Sequence, residues 1–333
     1  MSKNFLLNIL FVSTFFIFLS SCNDALQSDG VSADNVQVLG RGEGKDNWWD
    51  KLPREAWTRF EKVEQQQQWF EVYLITDGIY AIYEMGQFEE VISYLILGDK
   101  RALLFDTGIG VGDMKKLVLN LTDLPVTVLN SHTHYDHVGG NYAFDDVYGT
   151  ATDFTAKNAM GQANDQVREY VGPGWVWKPM PNGITVDNYR IRPFEITTII
   201  KDGDKIDLGG RVLEVFLIPG HAPDALVVID REARLMFTGD TFYPATLYAH
   251  LTGSNVNDYA RTAERLAGMA SEVDILLPSH NEPWVSSDYL EAMHQAFIDI
   301  KKPDAEYKIA DGDREYRFDG FTIMVNDPPL WLK

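Results

Sequence analysis

Cysteine is nearly absent from this chain: Cys22 is the single thiol, so no internal disulfide can form. Positive charge is also short, with 29 Lys and Arg against 49 Asp and Glu and a formal net charge of -20. A nucleic-acid partner needs Lys and Arg to replace phosphate counterions, so this balance argues against one. Long apolar runs are missing too. The stretch from Phe5 to Phe18 is short and interrupted by Asn8, Ser13 and Thr14, which argues against a membrane-spanning helix. No short-period repeat is visible. What remains is an ordinary folded composition, with 45% hydrophobic, 23% charged and 12% aromatic residues in 333 positions. That is enough for one large domain or two small ones.

Histidine is scarce, and its distribution is informative. Three of the 7 histidines fall with one carboxylate in the run His132-Thr133-His134-Tyr135-Asp136-His137. Imidazole and carboxylate are the ligands that zinc and its neighbours prefer. The bland alternative is a polar, histidine-rich surface loop. Against it stands Pro125 to Leu129, a short β-branched run that reads as a buried strand, with the histidines directly after it. Val138-Gly139-Gly140-Asn141 then allows a sharp turn. Three more candidate ligands each end an apolar run: Val212 to Ile218 before His221, Leu235 to Phe237 before Asp240, and Ile275 to Leu277 before His280. Three strands would thus deliver ligands to one sheet edge. Only His250 and His294 fall outside these motifs.

His132-Thr133-His134-Tyr135-Asp136-His137 resembles the HxHxDH signature of the metallo-β-lactamase superfamily, and four further motifs resemble that family in order. These are Leu103 to Gly108, Pro219-Gly220-His221, Phe237 to Asp240, and Pro278-Ser279-His280. The resemblance implies an α/β fold, a four-layer αββα sandwich. It implies that His132, His134 and His221 bind one metal, that Asp136, His137 and His280 bind a second, and that Asp240 bridges them. Two Zn2+ ions per chain are the implied cofactor, with iron or manganese as other occupants. Asp106 is implied as a supporting residue that orients ligands.

The implied chemistry is hydrolysis, in which hydroxide shared by the metals attacks an ester, lactone or related acyl bond of a small-molecule substrate. Asp136 is the candidate to pass a proton to the leaving group. Tyr243 and Tyr248, just beyond Asp240, are candidates to donate to the developing oxyanion, with packing as the alternative for each. Asp240 separates the chain from true β-lactamases, where one subclass has cysteine and another has no ligand. It is similar instead to glyoxalase II-type thioesterases and lactonases, although Glu306 to Lys333 does not resemble the basic glyoxalase II tail. Rival readings are a class B-like β-lactamase, a mononuclear iron persulfide dioxygenase and a non-catalytic binding lipoprotein.

Lys3, the apolar stretch and Leu19-Ser20-Ser21-Cys22 have the order of an export signal, and the last four residues resemble a bacterial lipobox. The expected organisation is a lipoprotein signal peptide over 1–21, acylated Cys22 and a flexible tether over 22–46. A catalytic domain over 47–333 follows, with a C-terminal extension from about 301. The expected location is the bacterial cell envelope, with Cys22 in the membrane. Trp48-Trp49 and Trp57 begin ordered structure. Hairpins are expected over Phe70 to Tyr83 and Ile92 to Phe105, helices over Val111 to Leu121, Asp258 to Ala270 and Ser287 to Ile300. Glu306 to Val325 reads as one or two hairpins turning at Asp311-Gly312 and Asp319-Gly320. Gly161 to Gly183, rich in aromatics and without periodicity, is either a lid or substrate wall, or a plug on the outer face.

Overall fold

The computed structural model describes residues 47–181 and 183–332, so the export signal, Cys22 and the expected tether lie outside the described residues. The first sheet has eight strands in chain order: β1 (Glu61–Val63), β2 (Glu71–Thr76), β3 (Ile79–Tyr83), β4 (Ile92–Leu97), β5 (Ala102–Phe105), β6 (Val126–Leu129), β7 (Val147–Gly149) and β8 (Thr198–Ile199). Strands β1 to β5 pair antiparallel, as short connections require. From β5 onwards the pairing is parallel, and longer crossovers appear. The first crossover is α1 (Met114–Leu121), whose N-cap Asp113 accepts from the Lys116 amide and whose Leu117 and Val118 are buried. Shorter helices α2 (Tyr135–Val138), α3 (Asp153–Ala159) and α4 (Asn164–Val167) follow.

The second sheet is built from β9 (Lys205–Asp207), β10 (Val212–Leu217), β11 (Leu226–Asp230), β12 (Leu235–Gly239), β14 (Ile275–Pro278) and β15 (Val285–Ser286), in the order β15-β14-β12-β11-β10-β9. Strand β13 (Thr246–Tyr248) leaves for a third sheet, and α5 (Val256–Ala267) carries the chain back to β14, parallel to β12. Helix α6 (Asp288–Asp299) packs on α5.

Strands β4, β5, β11 and β12 are buried along nearly their whole lengths, which marks strands covered on both faces. Between the two sheets, Phe237 meets Tyr94 at 5.3 Å and Phe105 at 5.8 Å. The outer face of the first sheet buries α1, and that of the second buries α5 and α6. The order of layers is helix, sheet, sheet, helix, the expected αββα sandwich. Among the described residues no helix is long and apolar enough to cross a membrane.

The two ends of the described chain are both built into the fold. At the N-terminal end, Trp57 is fully buried and stacks on Tyr83 at 4.3 Å. An aromatic ring of roughly 150–250 Å2, at about 25 cal/mol per Å2, contributes about 4–6 kcal/mol before entropy is subtracted. At the C-terminal end, β16 (Lys308–Ala310), β17 (Asp313–Phe318) and β18 (Phe321–Val325) form two hairpins over the expected turns. Asp311 and Gly312 both have positive φ, as a tight two-residue hairpin turn demands. These hairpins are not peripheral. Strand β18 pairs parallel with β13, and Tyr316, Phe321, Ile323 and Val325 share one apolar cluster with α5 and α6.

Candidate metal centre

The ligand candidates gather at one end of the sandwich because of strand direction. Strands β10 and β14 both run parallel to β12, so the three C-terminal ends leave one edge of the second sheet. His221, Asp240 and His280 follow those ends. The three strands thus deliver their ligands to one sheet edge as expected, and the cluster from His132 joins them from β6 of the facing sheet. The chain bends after β6, and His132 and His134 converge on the same side. The single turn of α2 then presents Asp136 and His137.

All seven expected ligands come together. They form three groups, His132-His134-His221, His132-His137-Asp240 and Asp136-His137-His280, each with donor atoms within 4.8 Å of one another. His134 Nδ1 lies 2.8 Å from His132 Nε2 and 3.0 Å from His221 Nε2. Asp240 faces both sides: Oδ2 is 3.5 Å from His221 Nε2, while Oδ1 is 2.9 Å from His280 Nε2 and 3.2 Å from His137 Nε2. Asp136 Oδ2 lies 3.3 Å from His137 Nε2.

The outward nitrogens of the histidines are held. Asp106, at φ 66, takes the left-handed backbone needed to turn off β5. Its Oδ2 lies 2.9 Å from His137 Nδ1 and accepts from Ser131 Oγ and Ser279 Oγ at 2.9 Å each. Ser131 Oγ in turn lies 3.0 Å from His132 Nδ1. Asp106 therefore orients one ligand directly and another through a serine, the supporting role expected of it. His221 Nδ1 donates to the Tyr248 carbonyl at 3.0 Å, and His280 Nδ1 to the Glu89 carbonyl at 2.6 Å. Gly239, at φ 53, backs onto Ser131, and a Cβ there would collide with that side chain. Thr133, between two ligands, donates to buried Asp224 at 2.5 Å, whose carboxyl burial pushes up.

Charge divides the site. Burial and the neighbouring His221 hold His134 down to about 3, and burial likewise lowers His132 and His221. Burial also opposes charge on His280, but Asp240 outweighs it and lifts this imidazole to about 9. His137 is raised in the same way by Asp136, Asp240 and Asp106. Burial disfavours the charged form of Asp240, yet His280 and His137 hold it well below the usual carboxylate range.

This donor set fits metal ions. His137 Nε2 and Asp240 Oδ1 are buried and lie within ion-pair distance of each other, but the angles give neither atom a hydrogen bond among the described residues. Buried polar atoms normally have partners, and orphans converging with imidazoles suit a cation.

Beside the donors opens a cavity of about 380 Å3. Tyr243 and Tyr248 both line it. The Tyr243 hydroxyl donates to the Thr246 carbonyl at 2.5 Å, so its one proton is engaged away from the donors. Tyr248 is half-buried and offers its carbonyl to His221. The aromatic segment Gly161 to Gly183 divides between its two expected roles. Trp175 lines the cavity, whereas Trp177 stacks on Trp49 at 5.2 Å. Besides Asp224, sequence reasoning missed Glu89, Glu84 and His250. Glu89 lines the cavity, and burial together with Asp136 raises its carboxyl to about 7. Glu84, raised to about 7 by burial, accepts from the Ile109 amide at 2.9 Å behind the Asp106 turn. His250 also lines the cavity, 3.7 Å from Asp313.

Residues 88–280 match the family model of the metallo-beta-lactamase superfamily. The acyl-coenzyme A thioesterase MBLAC2 of Homo sapiens is 28% identical over 232 residues, covering 64% of this chain and 81% of its own. The Bos taurus protein of the same name is 27% identical, with the same coverage. Among solved structures, a sec-alkylsulfatase from Pseudomonas sp. superposes with a TM-score of 0.50 at 18% identity, covering 68% of this chain and 41% of its own. That likeness bears on the fold alone.

Proposed function

Since the chain belongs to the metallo-β-lactamase superfamily, we propose that it is a dinuclear zinc hydrolase of an ester, lactone or thioester acyl bond. The observation that carries this reading is Asp240, whose two oxygens face His221 on one side and His137 and His280 on the other. His132, His134 and His221 would hold one ion, and Asp136, His137 and His280 the other. Bound there, zinc supplies Lewis acidity and lowers the pKa of water.

The chain's own residues set where the reaction happens. Asp106, through His137 and Ser131, keeps ring nitrogens turned towards the centre. The hydroxyl of Tyr259 donates to the Asp240 and Thr241 carbonyls at 3.0 and 2.8 Å, pinning the bridging residue to α5. Asp136 reaches both the donor cluster and the cavity, so it is the carboxylate placed to carry a proton to a leaving group. Tyr248 stands on the cavity wall as the remaining tyrosine candidate for contact with substrate. A cavity of about 380 Å3 suits a small molecule. The thioesterase relatives support including thioesters. Residues 1–22 support export and acylation at Cys22, which favours simple esters and lactones met in the cell envelope.

Zinc quantification on the purified protein, with turnover measured on lactones, esters, thioesters, β-lactams and a persulfide, tests the chemistry. The expected result is two zinc ions per chain and metal-dependent hydrolysis of an acyl substrate. A single iron with persulfide oxidation, or no metal-dependent turnover of any acyl substrate, would overturn it. Fractionation of Cys22→Ala tests the location: the variant should leave the membrane fraction.

A further inference from the structure

The cavity is lined unevenly. Phe88, Tyr170 and Trp175 give it aromatic surface, whereas Lys157, Gln162 and Gln166 are polar. Lys157 is the one lysine or arginine among its described lining residues. In a chain with a formal charge of -20, several lysines sit against acids, such as Lys62 on Glu71 at 2.7 Å and Lys302 on Asp299 at 2.6 Å. Lys157 has no carboxylate partner among the described residues, although Glu89, Asp136 and Asp240 line the same cavity.

Its base does not drift. Phe154, Lys157 and Asn158 share one face of α3 by helical spacing. Phe154 packs edge-on against His134 at 5.6 Å, and Asn158 Nδ2 donates to Thr133 Oγ1 at 3.1 Å. The lysine is therefore carried on a helix locked to the loop that bears two candidate ligands. Two amides accompany it. Gln166 Oε1 accepts from the Ala163 amide at 2.8 Å, which leaves its NH2 group to donate. The Gln162 side chain has no partner among the described residues. An ammonium sharing a cavity with amide donors binds an oxyanion more strongly than a neutral acceptor, because the charge-assisted bond is the stronger one.

We propose that Lys157, with Gln162 and Gln166, binds a carboxylate or phosphate carried by the acyl substrate, making the enzyme selective for anionic over neutral acyl compounds. This rests on the acyl-bond reading above. Lys157 is here a specificity residue, outside the donor cluster itself.

Three thioesters separate the sources of the anion when given to the zinc-loaded full chain: acetyl-pantetheine, acetyl-4′-phosphopantetheine and succinyl-pantetheine. They place no charge, a phosphate on the leaving group and a carboxylate on the acyl group. Lys157→Gln is expected to raise KM about threefold to tenfold for one anionic substrate, with kcat and the neutral substrate changed less than about twofold. Lys157→Arg should restore most of the loss. An equal change in all three substrates, or in none, overturns the proposal. Calorimetric binding of succinate and of phosphopantetheine to both proteins keeps the two readings apart. Lys157-dependent binding without turnover defeats the acyl-bond reading and leaves the anion site standing. Turnover with Lys157-independent binding defeats the anion site.

Discussion

The two halves of the donor cluster use the same side chain in opposite charge states. His132, His134 and His221 are pushed towards the neutral form by burial, with neighbouring imidazoles, His137 among them, adding to it. His137 and His280, equally buried, are held protonated by Asp136 and Asp240. Burial is common to both halves, so the carboxylates make the difference. The first half is a set of open lone pairs. The second is an internally neutralised cluster in which protons occupy the positions that a cation would take. A metal binding there would have to displace those protons, so the halves should differ in pH dependence although they are similar in geometry.

Asp240→Asn is expected to do the most damage, because it touches both halves. Turnover of the identified acyl substrate should fall on the order of 10³-fold, and retention within tenfold would remove Asp240 from its bridging role. Single-half variants come next: His134→Ala and His280→Ala should each lower zinc from about two to about one per chain by mass spectrometry under native conditions. If either variant loses both ions, the halves are not separable. Asp106→Asn should weaken zinc about 10- to 100-fold in competition titrations, since it loosens a ligand in each half.

The pH arm sharpens the contrast directly. His280 titrates at about 9, so below that pH zinc must expel its proton, and affinity at the second half should fall up to about tenfold per pH unit. The first half should show a shallower slope between pH 6 and 9, and equal slopes would erase the distinction. The metal-free protein provides a check on sign. A histidine raised from 6.5 to about 9 contributes stability that is complete below pH 6.5 and lost as pH rises through 9. Denaturant titrations of the metal-free chain should follow that fall, and His280→Ala should flatten it. The smallest effect belongs to Tyr243→Phe. It should cost about 1 kcal/mol of stability from the lost bond to Thr246 and leave kcat unchanged. A large loss of kcat would return Tyr243 to the reaction.

Much of the centre was legible because each ligand follows an apolar run, and strand ends are where a sandwich exposes side chains. Asp106, Asp240 and the histidines all carry that local mark. The partners of the outward nitrogens do not. His221 and His280 donate to the carbonyls of Tyr248 and Glu89, and a carbonyl leaves no trace in residue identity. The pairing of β18 with β13 was illegible for a similar reason: the paired residues, such as Thr246 and Thr322, are 76 positions apart and share no motif. Asp224 could have been suspected, being a carboxylate three residues after His221, but the hydroxyls that donate to it come from distant segments. Trp175 and Trp177 show the limit of composition. The two lie only two residues apart in an irregular stretch of turns and bends, where no strand period holds them to one face, so one aromatic loop serves both the cavity and the packing on Trp49.

The pairing of β13 with β18 sets a timetable for synthesis. The Tyr248 carbonyl that orients His221 sits at the end of β13, whose one neighbour in its sheet is β18. A nascent chain that has already exposed every ligand from His132 to His280 still lacks Phe321–Val325. Until β18 has been made, β13 lacks the neighbour that holds the Tyr248 carbonyl against His221, so the centre matures only after all seven candidate ligands have been synthesised.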